Sequence, residues 1–200
     1  AALGCTHHSY GDIAILRSLP RMQVIYPGAP HEFDALFKET YRNGSPTYFR
    51  LSVATHSVPT RPKFGEAELL RLGDGVTVIA AGPQLQNAWE AAEELAGEGI
   101  RVEIIYLATL KPILDNAKKL IRESLSRTKK LVTVEEHSII GGLGDAIALA
   151  AGEVRFRHLR LGIADKFLIN YGSYAEHCEV NGLTKNCVMS AVQQIYSAKN

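Results

Sequence analysis

The sequence has few cysteines, no long hydrophobic run and no excess of charge of either sign. Its three cysteines, Cys5, Cys178 and Cys187, form no CxxC pair. A disulfide scaffold and a zinc ribbon are therefore poor interpretations, and we expect reduced thiols in a cytoplasmic protein. No stretch approaches the roughly 18 to 20 apolar residues of a membrane span. Residues 1–8 also lack the charged and apolar regions of a signal peptide.

The balance of charge argues against a nucleic-acid-binding protein. There are 22 Lys and Arg against 21 Asp and Glu, a formal net charge of +1, so a broad basic surface for nucleic acid is not expected. Hydrophobic residues make up 46% of the 200 residues, which is enough for a buried core and excludes a disordered chain. The chain does not begin with Met, and we expect it to start within a longer polypeptide.

Strand-like and helix-like segments alternate along the chain, which predicts an α/β fold. Residues 22–26, 76–81, 102–107, 131–134 and 157–163 are short apolar runs of the kind found in buried strands. Between them lie segments with helical spacing, such as the stripe Leu85, Ala88, Trp89, Ala92 and Leu95. Such alternation is typical of a mostly parallel sheet covered by helices.

The pattern divides the chain into two α/β units. Residues 1–52 offer only two strands and two helices, too few to bury both faces of a sheet, so we expect the other strands upstream or on another chain. Residues 53–72 contain Pro59, Pro62 and Gly65 and are interpreted as a linker, with one short strand near residues 67–70. Residues 73–200 form a complete second unit, a mixed but mostly parallel sheet with covering helices.

Two clusters could carry chemistry. His7 and His8 lie in a Thr-His-His-Ser segment directly before a helix, where a neutral imidazole can exchange protons near pH 7. The second cluster is 135–137 (Glu-Glu-His), which follows a strand and precedes the glycine-rich entrance of a helix at 141–144. Such a helix N-terminus can hold an anion. Equally, the glycines can serve close helix–sheet packing, and His7 and His8 can belong to a polar capping loop.

Several motifs, in a consistent order, resemble the transketolase family. The segment Gly4-Cys5-Thr6-His7-His8-Ser9 and residues 12–20 resemble the end of the family's pyrimidine-binding domain. Residues 75–82, 91–95, 110–112, 134–137 and 141–144 resemble its C-terminal domain. The resemblance implies a pyrimidine-domain segment at residues 1–52, incomplete, followed by a complete transketolase-like C-terminal domain at residues 73–200.

The resemblance implies a role for the chain in carbohydrate metabolism, as part of an enzyme that moves a two-carbon ketol unit between sugars through thiamine diphosphate and Mg²⁺. His7 is then the catalytic residue, which orients the sugar hydroxyls and helps to move protons, and His8 joins it in substrate binding. No cofactor-binding or metal residue of the family falls within this chain. We therefore expect an N-terminal cofactor-binding domain or subunit, a homodimer, and an isolated chain that binds no cofactor and is inactive.

The sequence leaves other functions open. A 2-oxoacid dehydrogenase β-subunit or a deoxyxylulose phosphate synthase would share these motifs, and a non-catalytic dimerisation or docking module is a further alternative. Val53 stands where many transketolases carry a phosphate-binding arginine, which argues against a phosphorylated sugar.

Overall fold

The computed structural model describes residues 9–198, which form seven α-helices and eight strands. The helices are α1 (Asp12–Ser18), α2 (Pro30–Thr40), α3 (Leu85–Gly97), α4 (Asp115–Thr128), α5 (Leu143–Ala151), α6 (Tyr174–Val180) and α7 (Lys185–Ser197). The strands are β1 (Gln23–Ile25), β2 (Thr47–Phe49), β3 (Glu68–Arg71), β4 (Val76–Ala80), β5 (Val102–Tyr106), β6 (Thr109–Lys111), β7 (Lys130–Ser138) and β8 (Arg157–Ile163).

The larger sheet has five strands in the order β3-β5-β4-β7-β8. All its pairings are parallel except that of β3, which runs antiparallel to β5. In the central strand, Val78 lies opposite Ile104 on one side and Val132 on the other. This mixed, mostly parallel sheet confirms the predicted α/β fold.

Helices cover both faces of this sheet because its central strand is apolar on both sides. Val76, Val78 and Ala80 of β4 pack in one core with side chains of α3 and α7. Ile79, between them, faces a second core that contains side chains of α4 and α5. A strand that is buried on both faces has this continuous apolar character rather than an alternating one.

The smaller sheet is shared between the two units. Its order is β2-β1-β6, with β1 parallel to β2 and antiparallel to β6. From the sequence, Lys111-Pro112 is most simply a loop that follows the strand predicted at 102–107. This prediction is wrong for Lys111, which ends β6 and pairs with Val24. The second unit therefore supplies a strand to the sheet of the first. Residues 68–71, within the predicted linker, form β3 at the edge of the larger sheet.

Side chains cap the starts of two helices but not that of α1. Ser9, three residues before Asp12, has the sequence pattern of an acidic capping box, which predicts that it caps the first helix; the cap residue of α1 is instead Gly11, and no side chain caps it. By contrast, Ser173 caps α6 in a reciprocal pair with Glu176, and Thr184 caps α7 by accepting from the Cys187 N–H. Asp12 takes no part in a capping box because its carboxylate binds Tyr48 and Arg50 instead.

No helix within residues 9–198 has the length and apolar character needed to cross a lipid bilayer.

Candidate functional site

The two histidines singled out by the sequence, His7 and His8, lie outside the described residues. The first two described residues, Ser9 and Tyr10, line a cavity of about 320 Å³. The cavity lies at the carboxyl ends of three strands: residues 50–53 follow β2, Glu136 lies near the end of β7, and Ile163 is the last residue of β8. In open α/β sheets this is the edge at which ligands bind.

One arginine that lines this cavity, Arg50, links the two units. The Arg50 Nε lies 3.3 Å from Asp12 Oδ2, and its Nη1 donates to the carbonyl oxygen of Glu136. Its guanidinium also lies over the ring of Tyr26, 4.7 Å from the centroid. A charge buried to this extent is stable only when it is paired and hydrogen-bonded, and here both conditions are met.

Two tyrosines complete the network around Arg50. The Tyr48 hydroxyl donates to Asp12 Oδ2 at 2.6 Å, and the Tyr26 hydroxyl donates to Glu136 Oε2 at 3.0 Å. Burial and the adjoining carboxylate raise the pKa of Tyr48 to about 12, and burial raises the pKa of Tyr26 well above its ordinary value. Both phenols are therefore neutral donors at physiological pH, and they hold their carboxylates in place.

The second predicted cluster is a structural one, because Glu135 occupies the N-terminus of α5. Its carboxylate accepts from the backbone N–H groups of Leu143, at 2.5 Å, and Gly144, at 3.0 Å. Glu135 is 1% exposed, so it does not lie at a solvated strand end. A carboxylate here satisfies N–H groups that a bound anion would otherwise take.

Gly142 is required by this close approach. A Cβ at that position would lie 2.0 Å from Glu135 Oε2 and 2.6 Å from His137 Nδ1. The packing interpretation of the glycine-rich segment, rather than the anion-binding one, therefore agrees with the structure.

His137 is buried as a neutral ring. Its Nδ1 lies 2.7 Å from the Ser138 carbonyl oxygen, and its Nε2 accepts from the Ala14 N–H at 3.3 Å. These partners assign the proton to Nδ1, and burial lowers the pKa of the ring. His137 joins β7 to α1 and has no free nitrogen for proton transfer.

The pH dependence of stability provides a test of the Glu135 environment. Burial raises the pKa of Glu135 from 4.5 to about 7, although the two backbone N–H groups oppose the rise. Between these values the folded state binds more protons than the unfolded state, so stability falls as pH rises from about 4.5 to about 7.

The measurement is urea denaturation of the wild type and of Glu135→Gln across this pH range. Gln resembles the protonated acid, so the wild type should lose stability relative to the variant as pH rises. A difference that is constant with pH would show that Glu135 is ionised throughout.

A buried carboxylate that sequence reasoning missed lies beneath the start of α2. Glu32 is 0% exposed, and its Oε2 accepts from the Gly28 N–H at 2.7 Å and the Tyr106 hydroxyl at 2.6 Å. Its Oε1 accepts from the Thr60 hydroxyl and lies 3.0 Å from His56 Nε2. Burial opposes ionisation, but these donors together hold the pKa of Glu32 below its ordinary value.

No short sequence pattern identifies the cluster around Glu32, because its members come from distant parts of the sequence. It joins α2 to the segment 53–72 and to the end of β5, and so it fixes how that segment crosses between the units.

Residues 9–198 present no grouping of three or more His, Cys, Asp or Glu side chains that could bind a metal ion. Cys178 and Cys187, within the same range, are free thiols.

Comparison with known proteins gives a consistent result for both units. The family model described as transketolase, pyrimidine binding domain, matches residues 1–56, and the model described as transketolase, C-terminal domain, matches residues 65–188. The two models follow each other in the order that the motifs suggested.

Individual relatives agree with the family models. The chain is 36% identical to a 6-deoxy-6-sulfo-D-fructose transketolase subunit of a Clostridium species, covering 98% of this chain and 62% of that protein. It is 32% identical to a 1-deoxy-D-xylulose-5-phosphate synthase of Heliobacterium modesticaldum, covering 98% of this chain and 31% of the synthase.

A solved structure matches at the level of the fold and of the sequence. It is described as a split gene transketolase, an inactive beta4 tetramer, and it superposes with a TM-score of 0.87 at 34% identity. The match covers 98% of this chain and 64% of that one. The chain thus spans less than two thirds of each of these relatives.

Proposed function

The chain belongs to the transketolase family, and from this premise we propose that it is the C-terminal portion or subunit of an enzyme that transfers a two-carbon ketol unit between sugars. The observation that carries the proposal is the match of 98% of the chain to a transketolase subunit of which it spans only 62%. An enzyme built in this way completes its site with a second polypeptide or an upstream domain.

We assign the catalytic role to His7, with His8 as its neighbour in substrate binding. Supporting this assignment, Ser9 and Tyr10 follow directly in sequence and line the cavity at the carboxyl edge of the strands. An imidazole at this edge can orient sugar hydroxyls and move protons between them.

The cofactor is held elsewhere in the complete enzyme. Thiamine diphosphate with Mg²⁺ supplies the carbanion chemistry of this family when bound. The side chains of residues 9–198 do not fit such a group: they offer no metal cluster, and Glu135 already occupies the N-terminus of α5. We therefore place cofactor binding on an N-terminal domain or partner subunit.

Calorimetry checks the placement of the cofactor. Titration of the isolated 200 residues with thiamine diphosphate and Mg²⁺ should give no saturable heat, because residues 9–198 present no side-chain group for the Mg²⁺ and Glu135 already occupies the N-terminus of α5. The same titration of the chain together with its N-terminal partner should give saturable binding. Tight binding to the isolated chain would contradict the proposal.

A second candidate reaction is the condensation carried out by a deoxyxylulose phosphate synthase, since one such enzyme is 32% identical over 98% of this chain. The two reactions differ in the donor. The reconstituted enzyme, assayed for product with a ketose donor and separately with pyruvate, should turn over only the ketose. Turnover of pyruvate instead would favour the synthase.

We also propose that the chain self-associates as a homodimer without its partner. A structural relative is described as an inactive beta4 tetramer, and Phe167 and Ile169 of this chain are exposed apolar residues that association could cover. Light scattering should give a mass of at least twice the 21.9 kDa of the chain. Stable assembly that stays inactive even with the partner supplied would favour a docking module.

A further inference from the structure

The larger sheet ends at β8, and one side of this strand pairs with no other strand within residues 9–198. The Arg157 N–H donates to the Lys129 carbonyl oxygen, so every second residue of β8, beginning with Arg157, binds β7. The backbone N–H and C=O groups of His158 and Arg160 lie between these residues and therefore point away from the sheet. Unpaired backbone groups at a sheet edge are a template for a further strand.

β8 lacks two features that usually protect a sheet edge. Edge strands are often very short or carry a proline, but β8 has seven residues and no proline. By comparison, β3 at the opposite edge has four residues. The register of β8 with β7 is regular from Arg157 to Leu161 and shifts only after that residue. Five consecutive residues therefore offer a regular edge.

A groove of about 420 Å³ lies between β8 and the exposed side of α7. The end of β8 lines it at residues 160–162, and α7 lines it with small or uncharged side chains, namely Asn186, Cys187, Ser190, Ala191 and Gln194. Because side chains alternate between the two faces of a strand, an added strand would direct every second side chain toward this groove. Valine is of a size that fits beside these small residues.

The other face of the edge is charged. There the Arg160 guanidinium pairs with Asp145 of α5 at 2.6 Å. Among the described residues, the cations on β8 or beside its first residue outnumber the nearby carboxylates: Lys129, Arg155, Arg157 and Arg160 stand against Asp145 and Glu153. A second copy of the chain pairing edge to edge would bring two such sets of cations together, which is unfavourable, whereas an acidic strand would meet opposite charge.

We propose that an extended, acidic segment of another polypeptide adds to the free side of β8. Its backbone pairs with His158 and Arg160, its acidic side chains lie on the face of Arg160, and the aliphatic side chains that alternate with them enter the groove beside α7. In this mode of recognition the main-chain hydrogen bonds provide affinity and the side-chain pockets provide specificity. The inference concerns association alone and does not depend on the ketol transfer proposed above.

Fluorescence anisotropy of the purified protein, with any partner that it retains, tests the surface. The probe is a fluorescein-labelled heptapeptide, Glu-Val-Glu-Val-Glu-Val-Glu, and the matched control has lysine in place of each glutamate. We expect saturable binding of the glutamate peptide that weakens as salt is added, and at least about tenfold weaker binding of the lysine peptide. No saturable binding of the glutamate peptide, or equal affinity for the two peptides, would overturn the proposal.

Two substitutions at Arg160 separate strand pairing from charge. Arg160→Ala keeps the backbone N–H and removes the guanidinium, and it should weaken binding a few-fold. Arg160→Pro also removes the N–H that points away from the sheet, without removing a hydrogen bond to β7, as is typical of proline in an edge strand. It should weaken binding at least about fivefold more than Arg160→Ala. Equal affinities of the two variants would contradict backbone pairing.

Amide hydrogen exchange of the wild-type protein gives a readout that no folding defect can affect. A saturating amount of the glutamate peptide should slow exchange at His158 and Arg160 at least about tenfold and leave exchange along β3 unchanged. Unchanged exchange at both residues would refute pairing at this edge. If the protein instead self-associates with concentration and Arg160→Pro abolishes that association, a second copy occupies the edge and the acidic partner is wrong.

Discussion

Replacing Glu32 with alanine should lower the free energy of unfolding by about 3–5 kcal/mol, the range observed when one member of a buried, hydrogen-bonded charge network is removed. The change would remove the acceptor of the buried Thr60 and Tyr106 hydroxyls and one of the two acceptors of the Gly28 N–H. The carboxylate that lies 3.0 Å from the His56 ring would be lost as well. It would also open a cavity beneath α2. Urea denaturation monitored by circular dichroism measures the loss.

Two further variants show whether a loss of stability in Glu32→Ala comes from the buried network. Glu32→Gln keeps the shape and one acceptor oxygen and should cost less than alanine. Glu93→Ala removes a carboxylate from an exposed position of α3 and should change stability by no more than about 0.5 kcal/mol. A loss for Glu32→Ala as small as that for Glu93→Ala would mean that the buried network contributes little.

Replacing His7 with asparagine should lower the rate of ketol transfer by about 10²–10⁴-fold in the reconstituted enzyme, the range associated with a positioned general acid or base. Asparagine retains hydrogen bonding but cannot exchange a proton near pH 7. The measurement is steady-state kinetics with a ketose donor and an aldehyde acceptor.

The neighbouring histidine serves as the matched control. His8→Asn makes the same change one residue later, and we expect it to alter the apparent affinity for substrate more than the turnover rate. Both variants should unfold at the same urea concentration as the wild type. If His8→Asn reduced turnover and His7→Asn did not, the assignment of the two residues would have to be exchanged.

The sequence carried enough information to place most of the second unit. Leu85, Ala88, Ala92 and Leu95 of the predicted stripe are buried in α3, and the strand expected at residues 157–163 is β8 as observed. These predictions succeeded because the side-chain pattern of a helix or strand is local and repeats with a fixed period.

The same reasoning misjudged the face of α2. The helical spacing of Phe33, Leu36, Phe37 and Tyr41 predicts a stripe that faces the core, but Phe37 and Tyr41 are 45% and 55% exposed. Their rings stack along the helix surface with centroids 5.5 Å apart. Glu32 takes the buried position instead, and its burial depends on Tyr106, which lies 74 residues away.

The candidate site illustrates a similar limit. The sequence identified the carboxyl edge of the strands and the 135–137 cluster, but it did not separate Glu135, which caps a helix, from Glu136, which lines the cavity. It also gave no reason to single out Arg50. The roles of Arg50 and Glu136 depend on contacts between the two units, which no spacing within one segment encodes. The cap by Glu135 lies within the second unit, but the sequence does not show which of the two glutamates points toward α5.

The strand β6, which the second unit contributes to the smaller sheet, has a consequence for recombination between genes. Because β6 pairs with β1, the backbone of β1 finds hydrogen-bond partners on the far side of the junction between the two family models. A recombination event within residues 57–64 that joined the first unit to an unrelated neighbour would leave this backbone edge open to other chains. The pairing of β6 with β1 therefore favours variants in which the two units stay together.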